Sequence, residues 1–399
     1  MVRNQGGAAV SGSGPVVPAS RRSSWSRDVL LGALVFGAAL GAVGLVLAHA
    51  RRRGVLVPRP VDDVEILAVG PGTLTLCADS RTLAPGRYGL WLDGGRGHAQ
   101  VGEIVGHDDS TGTVTRQVLG VDQGCPEPGP ARWSGDFYAG TPGTLGLPYR
   151  DVVITSDVGE LAAWLVAPTS SVPARGRWAV LVHGQGGTRE ECLRALPVLH
   201  RLGLTSLVIS YRNDPLAPRG RSPRRQADGG EWQDVEAAVV HAVLHGAEEV
   251  VLVGWASGGA LALKTVARSW ASGRVRALVL DSPSLDWREV LAGRVRPRRP
   301  VPAGGRVGGS TSASSGAEAG VPQPGATSWL DRAAELRLPT LLVHGDSDPQ
   351  GSAGPGHRLT LARPNLVTAV PFRGACPGQE WNTDPVAWDT AVARFLLSL

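Results

Sequence analysis

The feature that most constrains this chain is a set of short, uninterrupted apolar runs, three of which pass straight into a glycine-rich or acidic turn. Trp178–Val182 leads into His183-Gly184-Gln185-Gly186-Gly187. Glu249–Val253 leads into Gly254-Trp255-Ala256-Ser257-Gly258-Gly259-Ala260, and Thr340–Val343 into His344-Gly345-Asp346-Ser347-Asp348-Pro349. Ser206–Ile209 and Ala277–Leu280 are runs of the same kind. Apolar runs without polar alternation read as strands covered on both faces. Helical patterns lie between them, over Glu190–Leu202 and Glu231–His245. A closing one over Pro385–Leu397 places Trp388, Val392 and Phe395 on one face. This alternation predicts a mainly parallel sheet flanked by helices, with ligands bound beyond the carboxyl ends of its strands.

A chain of 399 residues has room for two or three domains, and 42% hydrophobic residues suffice for a sizeable core. Between Val64 and Tyr138 the texture differs: short runs at Val64–Val69, Thr73–Cys77, Arg87–Leu92, Gln100–Val105 and Thr113–Val118 are separated by Gly, Pro and Asp turns. They predict a small β sheet or open barrel over 55–146, with His98 and His107 on its surface. The net charge of +5 comes almost wholly from arginine, Lys264 being the single lysine. Its runs at Arg219–Arg225 and Arg294–Arg299 are broken by Gly and Pro and lack interleaved aromatics, so no nucleic-acid partner is expected. Four cysteines in no CxxC pair exclude a zinc ribbon, and no cofactor motif is present; a Cys77–Cys125 disulfide is left open.

The front of the chain has its own signature. Residues 1–28 are mostly small and polar and read as a disordered tail. Val29–Ala48 carries no charge, and twenty helical residues span about 30 Å, the thickness of a bilayer core. Trp25 before it and Arg51, Arg52 and Arg53 after it suit the two interfaces, so a single-pass helix over 29–49 is expected. A cleaved signal ending at Ala48-His49-Ala50 is the competing reading, and the apolar run is long for one. Arginines balance on the two sides, so the charges set no orientation.

The strand-end loops of the main region follow the order oxyanion loop, nucleophile elbow and acid turn. Together with Ser210-Tyr211-Arg212-Asn213-Asp214, Glu231-Trp232-Gln233-Asp234-Val235-Glu236, Leu280-Asp281-Ser282-Pro283 through Asp286-Trp287-Arg288, and Gly374-Ala375 through Glu380-Trp381-Asn382, residues 147–399 resemble bacterial α/β hydrolases related to prolyl oligopeptidase-like and acyl hydrolases. The resemblance implies an α/β-hydrolase fold, a serine nucleophile, a histidine base and an acid at Asp348.

Two of those three positions depart from the pattern. Gly254 and Gly258 flank Ala256, which puts a methyl group where the family has its serine. Pro377 stands where the family has its histidine and offers neither a proton acceptor nor an N–H. Ser257 would serve as nucleophile if the elbow slipped by one residue, but bulky Trp255 would then stand two before it, and the downstream histidine is His357. His183 and His344 read as loop-holding residues, and Cys376 as buried and inert. The N–H groups of Gln185 and Ser257 would form the oxyanion hole. Arg294–Thr327, where relatives carry a helical cap, is Gly, Ser, Ala, Pro and Arg and reads as a flexible insertion. The expectation is a membrane-anchored α/β-hydrolase-fold protein with impaired catalysis that keeps a pocket for an acyl or peptide ligand or a partner. An active esterase or peptidase using Ser257 and a non-enzymatic interaction protein are the alternatives.

Overall fold

A computed structural model describes residues 61–168, 176–214, 217–218, 230–285, 328–346 and 354–399. The expected membrane helix, the insertion at 294–327, Asp286-Trp287 and Asp348 lie outside the described residues. Among the described residues no helix is long and apolar enough to cross a membrane.

Six strands form the first part: β1 Val64–Gly70, β2 Thr73–Cys77, β3 Tyr88–Leu92, β4 Gly97–Asp108, β5 Thr113–Gln123 and β6 Gly129–Ser134. They pair antiparallel in the order β1-β2-β5-β4-β3-β6, and β6 closes on β1, so the barrel is closed rather than open. Closure removes the exposed strand edges. The β6 run carries Gly129 and Pro130 at its start, which hid it from periodicity. Ile66, Leu74, Leu76, Leu90, Val101 and Val114 fill the interior. Among them lies Arg116, fully buried, whose guanidinium donates five hydrogen bonds of 2.6–2.9 Å to the carbonyls of Gly102, Thr82, Ala84 and Gly86. It sits over the Tyr88 and Trp133 rings.

His98 corrects the surface expectation, for it is fully buried. Its Nδ1 bonds Asp122 Oδ2 at 2.6 Å, a partner on β5 that the sequence around His98 does not announce. Cys77 and Cys125 are both exposed and free, so they form no disulfide here.

The second part is an eight-stranded sheet: β7 Tyr149–Ser156, β8 Gly159–Val166, β9 Arg177–Val182, β10 Thr205–Ile209, β11 Glu249–Trp255, β12 Val275–Asp281, β13 Thr340–Gly345 and β14 Val367–Phe372. Their order is β14-β13-β12-β11-β9-β10-β8-β7, parallel except where β8 meets its neighbours. β7 and β8 mix polar and apolar residues and expose one face in part, so they lack the continuous apolar runs of the central strands. In the central strands successive side chains serve opposite cores: Val180 and Val182 on one face, Ala179 and Leu181 on the other.

Helices cover both faces: α1 Leu196–Arg201, α2 Glu231–Leu244, α3 Ser257–Arg268, α4 Pro355–Ala362, α5 Glu380–Thr383 and α6 Pro385–Leu397. The helix expected over 190–202 divides into a 3-10 segment, Arg189–Ala195, and the short α1. Pro197 explains the division, since it lacks an N–H and is tolerated only in a first helical turn. On α6, Asp384 caps the Ala387 N–H, and Trp388, Val392 and Phe395 are buried. Asn382 ties barrel to sheet: its side-chain amide donates to Arg87 O at 2.7 Å and Gly135 O at 2.8 Å.

Candidate functional site

The strand β11 turns into α3 through a single residue, Ala256, at φ 46° and ψ −114°. An L-residue held there stores about 1–3 kcal/mol of strain. The bend is locked from outside: the Ala256 N–H donates to Asp281 O at 2.9 Å, and its carbonyl accepts the Ser284 N–H at 2.9 Å. Small flanking residues are obligatory, since a Cβ on Gly258 would lie 2.2 Å from Val182 O and one on Gly254 2.6 Å from Gly259 N. The structure thus places at the tip the residue that the glycine spacing selected, and that residue ends in a methyl group.

Beside the bend runs the loop after β9. The Gly184 N–H donates to Glu191 Oε2 at 2.6 Å. The other oxygen of Glu191 accepts from Arg194 at 3.0 Å, and Arg194 also reaches Gly378 O at 3.2 Å and Asn382 Oδ1 at 3.1 Å. Arg194 is thereby a buried strut between the loop after β9 and the loop after β14. Gln185, expected to offer its N–H to an oxyanion, donates it to Ser257 Oγ at 2.6 Å. The hydroxyl occupies the amide that a substrate oxygen would use.

His183 is fully buried and structural in its bonding. Nε2 faces Asp214 Oδ2 and Nδ1 faces Gly184 O, both at 2.9 Å, and the ring stacks on Tyr211. Burial opposes its charge, but the hydrogen bond and charge of Asp214 outweigh that, so the imidazole is held above its ordinary value.

At the end of β13 the chain brings Asp346 to the last loop, where its carboxylate accepts the Gly374 N–H at 2.6 Å. Pro377 is exposed in that loop. Cys376 is exposed as well, which corrects the expectation of a buried thiol: the turn closed by Gln379 N–H to Cys376 O turns it outward. His357 is exposed on α4. Among the described residues no histidine nitrogen bonds the Ser257 hydroxyl. Nor does any group of three or more His, Cys, Asp or Glu there suit a metal ion. A cavity of about 350 Å³ lined by Val240, Leu244, Trp270 and Arg274 opens at the opposite ends of the strands, ahead of β11 and β12.

The sequence motifs do not announce the roles of Glu191 and Arg194 or the pairing of Asp281 with Glu380. An acidic residue directly after an apolar run, as Asp281 follows Ala277–Leu280, was the available signal.

Residues 65–134, the barrel, match a family described only as a domain of unknown function (DUF8805). No curated protein matches the chain. Among solved structures, the esterase Pf2001 of Pyrococcus furiosus is similar at 15% identity over 65% of this chain and 96% of its own, with a TM-score of 0.50. An α/β serine hydrolase without lid from Xanthomonas campestris (14% identity, 63% and 94% covered, TM-score 0.43) and a dienelactone hydrolase from Anabaena variabilis (18%, 63% and 98%, 0.43) are also similar. With its strand order, its strained strand-to-helix bend and the Pyrococcus likeness, the eight-stranded part of the chain has the α/β-hydrolase fold.

Proposed function

We propose that this protein is a membrane-anchored member of the serine-hydrolase lineage that no longer performs acyl transfer and instead holds an acyl or peptide ligand, or a protein partner, at the strand-end loops. The observation that carries the reading is Ala256 at the strained tip of the bend. A methyl group cannot attack a carbonyl, and Pro377 supplies no imidazole to take a proton. The bend keeps its strain and its glycine contacts without the hydroxyl they serve in an enzyme. The anchor rests on the uncharged run Val29–Ala48 and its flanking Trp25 and Arg51–Arg53.

The second reading is an esterase or peptidase that uses Ser257, favoured by the nearness of its hydroxyl to the loop after β9. A fluorophosphonate probe on the purified full chain separates the two. No covalent label and no turnover of short acyl esters is the expected result. Labelling at Ser257 that disappears in Ser257→Ala would overturn the proposal.

A further inference from the structure

Beneath the bend, two carboxyl groups from distant parts of the chain are buried together. Asp281 ends β12 and Glu380 opens α5, and both are fully buried. Each has one oxygen engaged. Asp281 Oδ2 accepts from Trp388 Nε1 at 2.8 Å. Glu380 Oε1 accepts the Gly345 N–H at 2.8 Å and the Ser282 hydroxyl. The remaining oxygens, Asp281 Oδ1 and Glu380 Oε2, are buried without a hydrogen-bond partner, and the bond from Ser282, the residue after Asp281, to Glu380 Oε1 brings the two carboxyls together. Two bare carboxylate oxygens cannot face each other in a buried site without a proton between them.

We infer that Asp281 and Glu380 share one proton, and that this clamp positions the loops around the bend. Trp388 and the Gly345 and Ser282 donors engage the other two oxygens, leaving Asp281 Oδ1 and Glu380 Oε2 for the shared proton. The elements joined are the ones that build the site. The Asp281 carbonyl holds Ala256 at the tip, and Ser282, itself at φ 44°, bonds Val343 O through its N–H. Gly345 ends the strand that leads to the acid turn, and Glu380 follows the loop of Pro377.

Other charges facing the pair do not replace the proton. Arg194 is the nearby cation, and the hydrogen bonds of its guanidinium go to Glu191, Gly378 and Asn382 rather than to either carboxyl. Burial and the charge of Glu380 hold the Asp281 carboxyl well above the usual carboxylate range. A folded value above the unfolded 3.8 makes the clamp's contribution complete at low pH. It is lost as pH rises through the folded value, the reverse of a salt-bridged aspartate.

The test is made on the full chain. Infrared spectra at neutral pH should show the carbonyl stretch of a protonated carboxylic acid in the wild type, lost in Asp281→Asn. Either single amide, Asp281→Asn or Glu380→Gln, keeps one N–H donor between the groups and should shift the urea midpoint little. In the double variant the amide oxygens stay with the Trp388, Gly345 and Ser282 donors, so NH2 faces NH2 and the loss should far exceed the two single losses added together. The fall in wild-type stability that begins near pH 3.8 should be absent in Asp281→Asn. Absence of the protonated-acid band in the wild type, or additive losses in the double variant, would overturn the clamp. The infrared measurement needs only the folded wild type, and the clamp is independent of whether Ser257 reacts.

Discussion

The backbone N–H of Gln185 donates to the hydroxyl of Ser257 across 2.6 Å, joining the loop after β9 to the first residue of α3. One hydrogen bond thus closes the amide that a hydrolase keeps open for its oxyanion. Replacing Ser257 by Ala should lower stability by about 0.5–1.5 kcal/mol, the worth of one such bond. The accompanying sign is faster hydrogen exchange at the Gln185 amide. Unchanged exchange would mean the bond is not made in solution.

Restoring chemistry requires both missing groups. Ala256→Ser with Pro377→His should give measurable hydrolysis of a short acyl ester. Ala256→Ser alone should give almost none, because an unassisted hydroxyl is a weak nucleophile. A folded double variant with no turnover would indicate that the surrounding loops, and not just two side chains, have left the enzymatic geometry.

Close approach at the bend is tested by Gly258→Ala. The added methyl would meet Val182 O at 2.2 Å and His183 O at 2.5 Å, both backbone atoms that cannot swing aside. A loss of about 1–3 kcal/mol or more is expected from chemical denaturation. A neutral result would show that β9 and α3 are farther apart than described.

The His183–Asp214 pair makes a pH prediction with its own sign. The imidazole is held above its ordinary value of 6.5, so the pair's stabilisation is complete below that pH and is lost as pH rises through the folded value. Asp214→Asn should lower the His183 titration midpoint, read by NMR, and remove the part of the decline that begins near pH 6.5. The decline due to Asp281 begins lower and should survive in Asp214→Asn.

In the barrel, Arg116 spends all five of its N–H groups on backbone carbonyls. Arg116→Met should cost more than about 3 kcal/mol, because four carbonyls, those of Thr82, Gly86 and Gly102 buried, lose their partners together. Arg116→Lys should rescue only in part, since an ammonium offers three donors without the planar fork. Thermal unfolding of the two variants distinguishes them from a purely space-filling role, in which Met would be the better substitute.

Local pattern carried a large part of this protein. The continuous apolar runs at Trp178–Val182 and Thr340–Val343 mark covered strands, and the spacing of Gly254 and Gly258 picks out Ala256, because steric fit along a few residues is a local property. The periodic face of Pro385–Leu397 foretold the burial of Trp388 for the same reason. What the tertiary structure decided are the partners of polar groups. His98 is buried because Asp122 arrives from another strand, and Arg116 because four carbonyls up to 34 residues away converge on it. Gln185 meets the Ser257 hydroxyl, and Asp281 meets Glu380, only once β9, β11 and β12 lie side by side in the sheet. The desolvation that makes such groups bond or share a proton arises from the packed whole, so no stretch of sequence around any one of them contains it.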